Sequence, residues 1–505
     1  MVFKTATIPE FLNQSKKKSY HYTKEFDMTK PNKPISLSES LLPIIILVFL
    51  LAYNVFVFGD DALGGSNQFI LLIGAAVAAI VGFRNKITYT EMIEAIGTNL
   101  KSTTGAILIL LFVGALAGTW LLSGIIPAMI YYGLQILHPS IFLPACIVIC
   151  AIISLATGSS WTTSATVGIA LIGIGRALDI PVGMVAGAVI SGAYFGDKLS
   201  PLSDTTNLAP AMAGTDLFTH IRYMTYTTIP SIVVTLIAFL FLGLFQHANG
   251  NANTEVLLSS IEERFTINLG LFIVPAAVLF LIIKKAPPLV ALMIGTLLGG
   301  VFALIYQPHL VVETAGASLL SVESAYRGIM NAITIDNSIT TSNDLLNDLF
   351  SSGGMEGMLG TIWLIICAMV FGGIMDAIGG LQKISNTLLD KAKTTFQLFT
   401  GTAASCVTIN LTASDQYLSI VLPGKMFSKA YQDRGLAPEN LSRTLEDSGT
   451  VTSVLIPWNT CGAYQSGVLG VGVGEYFIYA IFNWLSPLMT LLYAYLDFKI
   501  RKIMP

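Results

Sequence analysis

The sequence predicts an all-α membrane protein: two inverted-topology repeats with about ten transmembrane helices, two re-entrant hairpins and two broken helices. Three observations predict it. The 505 residues are 53% hydrophobic and 11% charged, with a mean hydropathy of +0.71, far more apolar material than a soluble core of this length needs. The apolar residues fall in runs long enough to cross about 30 Å of hydrocarbon. The order of those runs in residues 41–245 recurs in residues 266–498.

The first 40 residues are polar and carry seven Lys, among them Lys16, Lys17 and Lys18. No small-residue cleavage site follows a short apolar core, so they read as a solvated cytoplasmic tail and not as a cleaved signal. Eight uninterrupted apolar runs follow, near 41–58, 69–83, 104–122, 223–245, 266–284, 287–306, 357–379 and 475–498. Two further segments, 182–213 and 440–472, are apolar but interrupted by polar residues and by Pro201 and Pro457. Two more, 141–177 and 397–430, are apolar arms around polar centres at 157–160 and 412–415, the pattern of helix, turn, helix. The domain reading is a tail at 1–40, a first repeat at 41–245, an external linker at 246–265 and a second repeat at 266–505.

Positive charge tests the topology, because cytoplasmic loops hold the excess of Lys and Arg. With the two hairpins returning to their starting side and the interrupted segments crossing, 23 of the 27 Lys and Arg residues fall on the side of the two termini, the cytoplasm. Arg176, Arg264 and Arg327 fall outside it, and Lys198 lies within a crossing. Acidic connections holding Asp60 and Asp61, or Glu255, Glu262 and Glu263, fall on the external side. At an offset of about 255–256, Thr157-Gly158-Ser159 meets Thr412-Ala413-Ser414, Leu122-Ser123-Gly124 meets Ile378-Gly379-Gly380, and Pro201 meets Pro457. Five crossings per repeat is an odd number, so the second repeat must be inverted, and in such architectures the binding site lies at the repeat interface near mid-membrane.

The stretch GDKLSPLSDTTNLAP, residues 196–210, puts Asp197, Lys198, Ser200, Ser203, Asp204, Thr205, Thr206 and Asn207 in the middle of a crossing. A carboxylate there costs at least about 2.5–3.5 kcal/mol, so the cluster needs water, partners or an ion. Pro201 frees backbone carbonyls, and irregular backbone at that depth is tolerated only where it lines a cavity. Carbonyls, hydroxyls and a carboxylate are hard oxygen ligands suited to Na⁺ and unsuited to zinc or copper. A structural ion pair competes with that reading for Asp197 and Lys198. In the second repeat Glu446 and Asp447 read as opening a helix, either as carboxylates facing its dipole or as a gate or proton relay. Asn459 and Thr460 sit at the break beside Pro457 and read as ligands. The hairpin tips bring Thr157, Ser159 and Ser160, and Thr412, Ser414 and Asp415, to the same depth. Helix back-bonding competes as an account of the hydroxyls. A desolvated carboxylate binds a proton more readily and a nearby Na⁺ favours its ionised form, so the two cations compete for one site.

Other function classes find little support. With a net charge of −3 and no basic patch, nucleic acid is not expected as a partner. The five Cys lie in or beside apolar runs without zinc-ligand spacing, the five His sit mostly at membrane edges or in loops, and no cofactor or transition metal is expected. An intramembrane hydrolase using Asp204 and Asp415 as a pair, or Ser159 as nucleophile, lacks a His base and leaves the repeat without a role.

The strings GSSWTTSATVGIALIGIG, SGAYFGDKLSPLSDTTNLAPA and LEDSGTVTSVLIPWNTCGAYQSGVLGV closely resemble the NhaC family of Na⁺/H⁺ antiporters, over most of residues 41–498. The resemblance implies a fold with scaffold and transport regions, Na⁺ efflux driven by proton entry across a bacterial inner membrane, and a homodimer. Carried over by position, it implies Asp197, Ser200, Asp204, Thr205 and Asn207, with Asp415, Asn459 and Thr460, as the ion-binding and proton-coupling set. Similar family members exchange malate for lactate together with Na⁺ and protons. An organic acid exchanger is therefore the alternative, with Lys198 as the only intramembrane cation to meet its substrate's carboxylate.

Overall fold

The computed structural model describes residues 35–58, 64–136, 138–245, 254–343, 346–347 and 350–503. Tail residues 1–34, the acidic pair Asp60 and Asp61, and linker residues 246–253 lie outside them. Among the described residues, seven helices are long and apolar enough to cross a membrane, and an eighth span results if the pair Glu255–Arg264 and Leu269–Ile283, bent by 83°, counts as one. Six of the eight uninterrupted runs form such helices: Leu37–Phe58, Ser66–Arg84, Tyr89–Leu122, Leu217–Phe245, Pro288–Tyr306 and Leu359–Ala377. The only strands among the described residues are the two-residue pair Asn337–Ser338 and Ser351–Ser352. The chain is a multi-pass helical membrane protein.

Two runs are shorter than expected. In 266–284 the helix proper is Ile273–Ile283, preceded by the tight turn Leu269–Phe272. Asn268 accepts from the Gly270 N–H at 2.7 Å and so starts that turn where a longer helix would have begun. In 475–498 the helix is Ile481–Tyr495, because the chain first makes the single turn Val473–Tyr476. The two halves also differ in their amphipathic stretch. In the first, Thr88 and Glu91 form a capping box, with Thr88 N–H donating to Glu91 Oε2 at 2.7 Å, and one 34-residue helix carries the stretch straight into the span. In the second it is a separate helix, Val322–Thr334.

The elements sort into two packed groups. Leu37–Phe58, Ser66–Arg84, Tyr89–Leu122, Pro288–Tyr306 and Leu359–Ala377 pack on one another. The Trp120 indole N–H donates to the Gly295 carbonyl at 3.2 Å between two of them. Their outward side chains, such as Phe49, Phe56, Phe69, Ile80 and Leu297, are exposed apolar surface, as lipid contact requires. The second group holds the interrupted elements and the helices Leu217–Phe245 and Ile481–Tyr495. Here Pro139–Thr157 lies closely along Val182–Leu199, with small residues at the contact: a Cβ at Gly196 would come within 2.6 Å of Leu155 N and 2.7 Å of Ser154 Cβ.

This packing separates two glycine substitutions by sign. Gly196→Val should lower stability by about 1–3 kcal/mol through overpacking. Gly105→Ala, in a helix with open space around its Cβ, should raise it by about 0.5–1 kcal/mol. Thermal unfolding of the purified protein in detergent, followed by tryptophan fluorescence, reads both.

Candidate functional site

The first break spans residues 200–203, between Val182–Leu199 and Asp204–Ala213. Pro201 has no N–H to donate, and the carbonyls released around it are taken up locally. Asn207 Nδ2 donates to Pro201 O at 2.9 Å and to Ser203 O at 2.7 Å, while Thr206 Oγ1 donates to Asp197 O at 3.2 Å and Lys198 O at 3.1 Å. Ser203 caps the resumed helix. The tip of the first hairpin docks on this break. Pro139–Thr157 ends at Gly158, whose φ of +71° suits glycine, and a Cβ there would lie 2.6 Å from Leu202 Cβ. Ser159 caps the returning arm by accepting from Thr162 N–H at 3.1 Å, and Ser160 donates to Asp197 Oδ2 from both its N–H at 3.1 Å and its hydroxyl at 2.7 Å.

The second break, residues 451–459, lies between a helix beginning at Pro438 and the helix Thr460–Leu469. Asn459 caps the resumed helix through Cys461 N–H at 3.0 Å. The tip of the second hairpin, between Thr395–Thr412 and Gln416–Asp433, docks here. Thr460 N–H donates to Ser414 O at 3.0 Å, Trp458 Nε1 to Leu411 O at 2.8 Å, Asn459 Nδ2 to Asn410 O at 3.1 Å, and Ser453 Oγ to Gln416 Oε1 at 3.0 Å. Asp415 caps the returning arm, accepting from Leu418 N–H at 2.8 Å.

Two hydrogen-bond contacts, the helix caps and the left-handed residues of the two assemblies recur at an offset of 256. Ser160 with Asp197 corresponds to Gln416 with Ser453. Ser154 Oγ on Ala193 O, at 2.6 Å, corresponds to Asn410 Nδ2 on Gly449 O, at 2.7 Å. The helix caps Ser159 and Ser203 correspond to Asp415 and Asn459. Left-handed residues recur too, Gly158 with Ser414 and Gly214 with Gly470. The chemistry is not repeated: the buried carboxylate is in the last helical turn before the break in the first assembly, as Asp197, and on the tip in the second, as Asp415, the two being 7% and 3% exposed.

The assemblies meet. The returning arm of the first hairpin packs on Thr460–Leu469, and that of the second packs on Asp204–Ala213. Trp161 stacks on Tyr464 with ring centroids 4.0 Å apart. Tyr417 is within electrostatic reach of Asp204, Asp415 and Asp197 together, so carboxylates of both halves converge on one region. Asp204 and Asn207 are exposed, whereas Ser200, Thr205, Asn459 and Thr460 are buried. The tip hydroxyls differ among themselves. Thr157 and Thr412 back-bond to Ser154 O and Thr408 O, while Ser414 Oγ is buried with no hydrogen-bond partner among the described residues.

Glu446 and Asp447 correct an expectation. They do not open their helix, which starts at Pro438, because Pro at the first turn and the preceding Ala437 set its beginning eight residues earlier. They occupy a wide π turn, Glu446–Thr450, and are fully buried. Thr205 Oγ1 donates to Glu446 Oε1 at 3.0 Å. Asp447 pairs with the fully buried Lys198 and also accepts from Thr490 Oγ1 and, at 2.8 Å, from Thr227 Oγ1. Sequence reading missed Thr227 and Thr490, hydroxyls within the spans Leu217–Phe245 and Ile481–Tyr495, 220 and 43 residues from Asp447. It also missed Asn410 and Gln416, which the polar string around Asp415 contains.

Removing one member of this pair strands a buried charge. Lys198→Met alone should cost about 3–5 kcal/mol, and Lys198→Met with Asp447→Leu should recover most of it. Thermal melts of the single and double variants in detergent check this.

Residues 192–498, which contain both breaks and the second hairpin, match the Na⁺/H⁺ antiporter family. The chain is 37% identical over 432 residues to the Na(+)/H(+) antiporter NhaC of Alkalihalophilus pseudofirmus, covering 86% of this chain and 90% of that protein. It is 36% identical over 457 residues to the malate-2H(+)/Na(+)-lactate antiporter of Bacillus subtilis, covering 89% and 92%. It is 34% identical over 475 residues to the arginine/ornithine antiporter ArcD of Halobacterium salinarum, covering 93% and 94%. The chain belongs to the Na⁺/H⁺ antiporter family.

Proposed function

We propose that this protein is a secondary transporter that exchanges Na⁺ for H⁺ across the bacterial inner membrane by alternating access. The observation that carries the proposal is the pair of tip-on-break assemblies, each with one buried carboxylate beside irregular backbone. The ligand set is Asp197, Ser200, Asp204, Thr205 and Asn207 from the first half, and Asp415, Asn459 and Thr460 from the second. Tip residues Thr157, Ser159, Ser160, Thr412 and Ser414 complete the two cages. A deprotonated carboxylate holds Na⁺, a proton displaces it, and the neutral acid returns. Exposure of Asp204 and Asn207 supports a water-filled entry, since a carboxylate facing hydrocarbon would be costly.

The proposed topology is ten crossings in two inverted repeats, 41–245 and 266–505, joined by the external linker 246–265, with both termini cytoplasmic and two protomers sharing scaffold faces. Recurrence of the contacts, caps and left-handed residues at one offset supports the repeat. The odd number of crossings per repeat requires the inversion. No resident cofactor is needed, as Na⁺ and H⁺ are cargo.

Exchange of organic substrates is the second reading, favoured by the names of two relatives. It needs a cation free to meet a carboxylate. Lys198 is already paired with Asp447 in full burial, which supports cation exchange instead.

In proteoliposomes, an imposed Na⁺ gradient should drive proton flux, read by a pH dye, which Asp197→Asn and Asp415→Asn each abolish. Asp204→Asn should reduce it, and Ser160→Ala should weaken apparent Na⁺ affinity about tenfold. Since protons compete for the same oxygens, the Na⁺ concentration for half-maximal flux should rise about tenfold for each unit of falling pH once the site is largely protonated. Labelled malate, lactate and arginine should neither enter nor accelerate the flux. Uptake of any one of them coupled to Na⁺ would replace this reading with the second.

A further inference from the structure

A pocket of about 380 Å³ opens where the start of Leu217–Phe245 meets the segment that follows Ile481–Tyr495, and none of its lining residues belongs to a tip or a break. Its lining includes Thr219, Arg222, Tyr223, Tyr226, Lys499 and Arg501. Three cations face one small volume. Arg501 is engaged, pairing with Glu439 at 2.7 Å. Among the described residues neither Arg222 nor Lys499 has a carboxylate within ion-pair distance, Asp497 included; the Lys499 ammonium lies 4.7 Å from the centre of the Tyr226 ring. Asp216, three residues before the lining residue Thr219, uses its carboxylate to accept from Thr219 N–H at 3.0 Å.

A second observation comes from behind the pocket wall. Arg443 is fully buried, its guanidinium 4.5 Å from the centre of the Tyr223 ring, and its Nη1 donates to the Lys499 carbonyl at 3.4 Å. Its Nε and Nη2 have no hydrogen-bond partner, and no carboxylate pairs with it among the described residues. A buried cation of that kind lacks the counter-charge that burial demands, and the electropositive pocket beside it is where an anion would supply one.

The setting selects the anion. Both spans end here, so the pocket lies where the chain leaves the hydrocarbon; Tyr226 of its lining, and Phe218 and Phe498 next in sequence to the lining residues Thr219 and Lys499, are exposed as in an interfacial aromatic belt. We infer that this pocket binds the phosphate of an anionic phospholipid headgroup, with Arg222 and Lys499 as its direct partners and Arg443 as the buried charge behind them. The aromatic side chains would meet the glycerol and upper acyl region of the same lipid. The site also bears on the transport elements. The chain at Arg501 is tied to the start of the second broken helix, with Ala437 N–H and Asn440 Nδ2 donating to Arg501 O at 3.0 and 2.6 Å. A bound headgroup therefore braces the segment that leads to Glu446 and Asp447.

The test uses the full chain in a neutral detergent, with phosphatidylglycerol, phosphatidylcholine and inorganic phosphate as separate additions. Native mass spectrometry should retain phosphatidylglycerol in preference to phosphatidylcholine, and thermal unfolding should shift upward with phosphatidylglycerol alone. Arg222→Gln with Lys499→Gln should weaken phosphatidylglycerol binding about thirtyfold, from the loss of two cations near an anionic lipid. Arg222→Lys with Lys499→Arg should keep most of it, which separates lost charge from a damaged fold. Equal retention of phosphatidylcholine, an equal shift with inorganic phosphate, or undiminished binding by the double Gln variant would each overturn the assignment.

Discussion

Backbone that loses its helix inside hydrocarbon has no water to turn to, and the rest of this structure follows from how that demand is met. The first break is answered by Asn207 and Thr206 of its own resumed helix, the second by the tip of its own hairpin, and in both halves a tip docks on the segment around the break. Thr460 N–H reaches Ser414 O, Trp458 reaches Leu411 O, and Ser160 reaches Asp197. Because the tips dock on the breaks, they arrive with their own capping side chains at the same depth. Acidic and hydroxyl oxygens then collect where the membrane is least able to solvate them. A cation is the economical way to complete such a cluster, and a proton is the alternative that keeps it neutral.

The two halves share a frame and divide the chemistry. At one offset the caps, left-handed residues and two of the hairpin contacts coincide, yet the buried carboxylate stands in the helical turn before the break in one half and on the tip in the other. Tyr417 lies within electrostatic reach of Asp197, Asp204 and Asp415 together, so carboxylates of the two halves surround one side chain. The Lys198–Asp447 pair and the Thr205–Glu446 hydrogen bond join the helical turns before and after the break of one half to the π turn of the other. These links are made by fully buried groups, so movement of either half against the other has to carry or exchange them.

Much of this was legible from residue order because the signals are large. Proline with clustered polar residues inside an apolar run marks 201 and 457, and apolar arms around TGSS and TASD mark the two tips. Segment ends were less legible. Asn268 and the turn at Val473–Tyr476 shorten two spans through local hydrogen bonding that hydropathy does not register. The roles of Glu446 and Asp447 were misplaced because Pro438 opens their helix earlier, and their partners are hydroxyls distant in sequence. Asp204 stood out in sequence beside Pro201, but the chain turns it outward and gives Asp197 to the tip. Which of two nearby carboxylates a turn will hold depends on the tip's approach, and no local pattern encodes that.

The central claim is that sodium and protons occupy the same carboxylate oxygens. Its most direct test is an equilibrium one: adding Na⁺ to detergent-solubilised protein in weakly buffered solution, with proton release and bound ²²Na⁺ measured on the same sample. The account predicts proton release that saturates along with sodium binding, and loss of both when Asp197 and Asp415 are replaced by Asn. Sodium binding that releases no protons at any pH, or that survives the double replacement, would contradict it.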